Sequence, residues 1–128
     1  MKSLFVILMA LSFTVSAQVT QQWIQSYNGP TNFTDSARNM IIASDGSVYV
    51  TGTSRGANSW DYTTLKYNSA GALIWESRYD GPAHGYDDAK WIATDNSGNL
   101  YVTGASRSLT GFDDFATVKY NSNGIQQW

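Results

Sequence analysis

The chain repeats itself, and the period of that repeat constrains its fold more than any other feature. Setting Trp23 on Trp75 aligns Tyr27 with Tyr79, Gly29-Pro30 with Gly81-Pro82, Asp35 with Asp87, and Gly46 with Gly98. The segment YVTG at Tyr49–Gly52 then falls on Tyr101–Gly104. One residue is added in the loop after Arg107, and the copies rejoin at Asp61 and Asp114, Lys66 and Lys119, and Gly71 and Gly124. The period is 52 residues from Trp23 to Trp75 and 53 from Trp75 to Trp128. A unit of that length cannot bury its own hydrophobic face and does so against neighbouring copies.

Within one period the pattern is that of strands. From Gln18, the segment QVTQQWIQSYNGP alternates through Val19, Gln21, Trp23, Gln25 and Tyr27 and then meets a Gly-Pro breaker, which reads as a strand. ARNMIIA (37–43) is apolar enough to be buried on both faces. Ser44-Asp45-Gly46 turns it into SVYVTGTS, a hairpin whose counterpart in the second copy turns at Asn96-Ser97-Gly98. A Gly/Ser/Asn-rich loop leads to DYTTLKY, where Tyr62, Thr64 and Lys66 alternate with Thr63, Leu65 and Tyr67. Asn68-Ser69-Ala70-Gly71 then joins it to ALIWESRY. Strands are therefore expected at 37–43, 47–53, 61–67 and 72–79.

Four antiparallel strands per period of this length describe the blade of a β-propeller. The fold class expected is all-β, with about two blades of an incomplete propeller. Residues 1–17 are set apart as a leader, 18–30 as a leading outer strand of the kind that closes a ring, 31–80 as blade 1, and 81–128 as blade 2 with its outer strand incomplete.

The leader follows from MKSLFVILMALSFTVSAQ: a lysine, an apolar run from Leu4 to Val15, and small residues before Gln18. That is a secretory signal peptide pattern. The run falls well short of the roughly 20 apolar residues a membrane span needs, so the mature chain is expected to be secreted or at the cell surface with no span of its own. It contains no cysteine, so packing alone must stabilise it. With a net charge of −2 and its Lys and Arg residues scattered singly, it lacks the basic patch that nucleic acid requires.

The combination of W-x3-Y-x-G-P, the DNSGN turn, YVTG, D-[YF]-x-T-[LV]-K-Y-N-S-x-G and a returning Trp resembles the SBBP repeat, a β-propeller repeat of bacterial surface and secreted proteins. The resemblance covers residues 23 to 128. It implies a propeller, commonly seven-bladed, and an extracytoplasmic role, and it brings no general catalytic residue set. Two repeats cannot close a ring, so the chain reads as a truncated piece of a longer protein. The alternative is several copies assembling head to tail.

Candidate sites are weighed against what the repeat itself needs. Trp23, Trp75 and Trp128 recur at the period and read as packing residues. Trp60 and Trp91 do not recur, because the other copy has Asp113 and Asn39 there. Exposed on a rim loop or an inner strand, they could stack on glycan rings; the structural alternative is burial by a neighbouring blade. Asp87 and Asp88 enter an inner strand, where they could line a channel mouth or simply bond the backbone after them. Asp95-Asn96-Ser97-Gly98-Asn99 has some flavour of a calcium loop but lacks the distal Glu, and a hairpin turn explains it. His84 has no recurring partner. No metal, cofactor or catalytic set is expected.

The function expected is that of a non-catalytic binding or scaffold module of a bacterial surface or secreted protein. Its loop faces would contact a glycan or protein, and further blades in the same chain or other copies would complete it. The alternative is a fragment of a secreted glycan-active hydrolase or lyase.

Overall fold

The computed structural model describes residues 18–128, so the expected leader lies outside the described residues. Among those residues no helix forms, and the chain builds two antiparallel sheets. The first contains β1 (Asp35–Ile42), β2 (Val48–Arg55), β3 (Trp60–Tyr67) and β4 (Leu73–Tyr79) in the order β1-β2-β3-β4. The second contains β5 (Asp87–Thr94), β6 (Leu100–Arg107) and β7 (Asp113–Tyr120) in the order β5-β6-β7. Each is a meander, as two tight hairpins per period require.

The glycine of YVTG has a cause. β1 and β5 each carry a bulge, at Ala37/Asn39 and at Ala89/Trp91, which swings the strand backbone toward its neighbour. A Cβ on Gly52 would stand 2.0 Å from Ser36 O, and one on Gly104 would stand 2.1 Å from Asp88 O. No other residue fits.

The turns repeat atom for atom. Asn68 Oδ1 accepts from the amides of Ala70 and Ala72, and Asn121 Oδ1 accepts from those of Asn123 and Ile125. The added residue after Arg107 is taken up by a turn closed by Gly111 N on Ser108 O, with Gly111 at φ 86°.

The sheets pack front to back. Tyr49 and Tyr62 of the first sheet join Ile92, Leu100, Val102 and Val118 of the second in one core. Thr51 and Thr64, paired across β2 and β3 with their hydroxyls 3.1 Å apart, are buried on the same face. The back of the first sheet forms a smaller core of Val48, Leu65 and Tyr67, against which Trp23 and Tyr27 lie.

The leading segment 18–30 carries no strand among the described residues and lies with Trp23 and Tyr27 against the back of the first sheet. Two expectations are corrected. The strand read from ARNMIIA is not buried on both faces, since Met40 and Ile42 are exposed; one face has no covering sheet. Trp60 belongs to β3 rather than to the loop before it, paired with Arg55. The incomplete fourth strand of the second copy is reduced to a bridge between Tyr120 and Gln126 and two backbone bonds between Lys119 and the residues Gln127 and Trp128.

Candidate functional site

Asp87 is fully buried, and both carboxylate oxygens are committed to the chain around them. Oδ2 accepts from Gly81 N at 2.7 Å and Oδ1 from Arg107 N at 3.1 Å. Asp35 makes the equivalent bond to Gly29 N at 2.9 Å. These aspartates fasten the Gly-Pro connection to the strand that follows, which is the local role available to an Asp at a turn.

Asp88 acts between the sheets. Its Oδ1 accepts from Thr53 Oγ1 at 2.7 Å on β2 and from Arg38 Nε at 3.1 Å on β1, and its Oδ2 accepts from Lys90. Burial opposes its charge, but the bonds from Lys90, Thr53 and Arg38 outweigh it and hold the carboxyl below the usual carboxylate range. Arg38 and Lys90 are the bulge residues of their strands. Nothing in the repeat announces the pairing, because the counterpart of Asp88 is Ser36.

Trp91 lies on the front of the second sheet, opposite Thr103, and is 65% exposed. Trp60 opens β3 opposite Arg55, within a cluster that does not include Trp91, Asp87 or Asp88. The Arg55 guanidinium stands 4.8 Å from the ring centre of Phe33 and 4.7 Å from that of Trp60, and Trp60 meets Tyr86 at 5.9 Å. Phe33 and Tyr86 are exposed.

Every aromatic in this cluster departs from the repeat: Phe33 stands against Gly85, Tyr86 against Thr34, and Trp60 against Asp113. In the second copy the same arginine, Arg107, pairs with Asp113 at 2.9 Å. In the first, replacement of that aspartate by Trp60 turns an ion pair into a cation–π stack. Arg55 makes no side-chain hydrogen bond or ion pair among the described residues. Trp60 is marked in the sequence by its contrast with Asp113; the signal for Phe33 and Tyr86 lies in the alignment of the connections 29–35 and 81–87.

Other polar groups are spent on structure. Oxygens of Asp61, Asp80 and Asp87 lie within 4.8 Å of one another, but Arg78 holds Asp61 at 3.1 Å, His84 holds Asp80 at 2.7 Å, and backbone amides hold Asp87. A cleft of about 450 Å³ opens between the β1–β2 and β5–β6 turns beside Tyr49 and Lys66. Asp45 and Asp95 line it, but Asp45 accepts from Ser47, and Asp95 accepts from Ser97, Asn99 and Tyr101. The sequence DNSGN is thus a self-capped hairpin turn.

No family model and no curated protein sequence matches the chain.

Proposed function

We propose that the chain is an exported β-propeller repeat segment of the SBBP type, serving as a non-catalytic binding or scaffold module of a bacterial surface or secreted protein. Supporting the propeller reading, each period gives one meander, and successive meanders pack front on back with β5 set against β1, β2 and β3. Radial repetition of this kind is how propellers protect their sheet faces.

The binding reading rests on the Phe33–Arg55–Trp60–Tyr86 cluster. Its three aromatics depart from the repeat and gather at one rim around Arg55, the counterpart of Arg107, while Asp35, Asp87 and Asp95 are held in turns and strand junctions. The ligand chemistry that fits is a glycan bearing carboxylates, its sugar faces against the aromatic rings and its acid groups on the free N–H edge of Arg55.

The test is a panel of neutral and uronic-acid polysaccharides presented to residues 18–128. The proposal expects retention of acidic glycans without turnover, and about a tenfold loss on Trp60→Ala or Arg55→Ala, the loss of one anchoring contact of about 1.4 kcal/mol. Release of shortened products would instead make the chain part of a glycan-active hydrolase or lyase. Retention unchanged by both substitutions would remove the rim as the site.

A further inference from the structure

Tyr49 and Tyr101 hold the same place in the repeat and have the same neighbours. Each begins a YVTG segment, and each ring meets a recurring tryptophan, Trp75 at 5.9 Å for Tyr49 and Trp128 at 6.2 Å for Tyr101. Each also carries the amino group of the lysine paired with it across the hairpin, Lys66 at 5.1 Å from the Tyr49 ring centre and Lys119 at 5.3 Å from that of Tyr101. Their hydroxyls differ. Tyr101 donates to Asp95 Oδ2 at 3.1 Å, whereas the Tyr49 hydroxyl has no hydrogen-bond partner among the described residues.

The cause is one position. Ala43 and Asp95 begin the same turn, closed by Ala43 N on Ser47 O and Gly46 N on Ala43 O in the first copy, and by Asp95 N on Asn99 O and Gly98 N on Asp95 O in the second. The backbone follows the same course, and Ala43 lacks the carboxylate that Tyr101 finds in Asp95. Tyr49 is only 3% exposed, and it lines the cleft of about 450 Å³ together with Ile42, Ala43, Asp45, Lys66 and Asp95. That volume falls within the roughly 300 to 1,000 Å³ of small-molecule sites. A hydroxyl so deeply placed is costly until it is bonded. Lys66, beside it, forms no ion pair among the described residues.

The two acids of the cleft are unequal. Asp95 accepts four hydrogen bonds, from Ser97 N, Asn99 N, Asn99 Nδ2 and Tyr101, which fills a carboxylate. Asp45 accepts two, both from Ser47, and keeps room for more. These bonds, from Ser47 to Asp45 and from Asn99 to Asp95 before any other cause, hold both carboxyls below their ordinary range, so both are ionised at neutral pH. Two carboxylates against the one ammonium of Lys66 disfavour a bare anion. The groups left to a ligand are a hydroxyl and an ammonium on one side and a carboxylate with open lone pairs on the other.

We propose that the cleft binds a small zwitterion, a free amino acid or dipeptide, whose carboxylate meets Tyr49 as the Asp95 carboxylate meets Tyr101 and pairs with Lys66, while its ammonium donates to Asp45. Ile42 and Ala43 give its side chain an apolar wall. The cleft lies between the two sheets. Tyr49 pairs with Lys66 near one end of the β2–β3 ladder and Arg55 with Trp60 at the other, so this site is separate from the aromatic rim and does not depend on it.

The experiment is a heteronuclear NMR titration of the chain at pH 7 with L-leucine and L-alanyl-L-leucine, beside leucinamide and N-acetyl-leucine. Ligands of this size bind in the roughly micromolar to millimolar range, so the titration runs to about 10 mM. Both zwitterions are expected to move the amide signals of Ser44, Asp45 and Tyr49 and to leave those of Arg55 and Trp60 in place. Leucinamide, without the carboxylate, and N-acetyl-leucine, without the ammonium, should each bind about tenfold more weakly or worse. Tyr49→Phe, which keeps the buried ring, and Lys66→Met should each weaken L-leucine about tenfold. Ala43→Asp gives Tyr49 the carboxylate of the other copy, and should abolish the shifts while signals outside the cleft keep their wild-type positions. No cleft shifts with either zwitterion, equal binding of the amide or the acetylated form, or binding unchanged in Tyr49→Phe or in Ala43→Asp would each overturn the proposal.

Discussion

The indole of Trp75 occupies the space above Gly124, where a Cβ on that glycine would stand 2.6 Å from the ring. Its Nε1 donates to Ser122 O at 3.2 Å, so the outer strand of the first sheet is latched to the β7 turn of the second. Trp23 repeats the arrangement on Gly71, with its Nε1 3.2 Å from Ser69 O. The Trp and the N-S-x-G turn recur together in the sequence because each supplies half of one contact between successive units.

Gly124→Ala should therefore cost more than backbone strain alone. Gly111 and Gly124 both have positive φ, but a Cβ on Gly111 meets nothing within 4 Å. Gly111→Ala is expected to destabilise by about 1 kcal/mol, the left-handed penalty, and Gly124→Ala by about 3 kcal/mol once the displaced indole is added. Urea unfolding of the two variants measures the difference; equal losses would mean the latch contributes nothing.

Asp88→Ala should destabilise by about 2 kcal/mol, the scale of charge-assisted hydrogen bonds. The loss stays moderate because Arg38 and Lys90 are partly exposed and water can solvate them once the carboxylate is gone. The carboxyl is depressed in the folded state, so its contribution is present above the ordinary carboxylate value and is lost as pH falls through the folded value. Stability measured from pH 7 to 3 should fall less steeply in Asp88→Ala than in the wild-type chain.

The Tyr27 hydroxyl is pushed up to about 12, first by burial and then by the hydrogen bond it donates to Glu76 at 2.6 Å. A raised value stabilises docking of the leading segment below the ordinary tyrosine range and releases it as pH climbs through about 12. Fluorine NMR of fluorotryptophan-labelled protein should show the Trp23 resonance shift over that range. In Tyr27→Phe the alkaline step should vanish and docking should weaken by about 1 kcal/mol.

Tyr62→Ala is expected to cost about 4 kcal/mol, the range for truncating a buried aromatic, together with the bond from its hydroxyl to Ala116 O at 3.3 Å. Phe115→Ala, at the same repeat position but 99% exposed, should change stability by less than about 0.5 kcal/mol. Thermal unfolding at low concentration compares them directly.

The strand ladder was legible because its signals are local. Alternation, turn glycines and the repeat placed the strands to within two residues, and the recurring Trp positions named the packing contacts. What escaped had no local signal. The burial of Met40, Ile42 and Trp91 depends on which face has a neighbouring sheet, and a strand's own residues do not encode that. The Asp88–Arg38 pair joins positions that differ between the copies, and the bulges that aim Arg38 and Lys90 leave no mark except the close-approach glycines Gly52 and Gly104. The aromatic rim is half legible: Trp60 stands out against Asp113, while Phe33 and Tyr86 lie in the Gly-Pro connections and stand against Gly85 and Thr34, which carry no strand or turn signal of their own.

The front of the first sheet, and not its back, meets the second sheet. Aromatic-to-methyl nuclear Overhauser contacts in dilute, selectively labelled protein decide this. The Tyr62 ring should show cross-peaks to the methyls of Leu100, Val102 and Val118, while Phe115 shows none to the first sheet. Cross-peaks from Leu65 and Val48 to Val118, with Tyr62 free of contacts to the second sheet, would reverse the packing and contradict the front-to-back repeat.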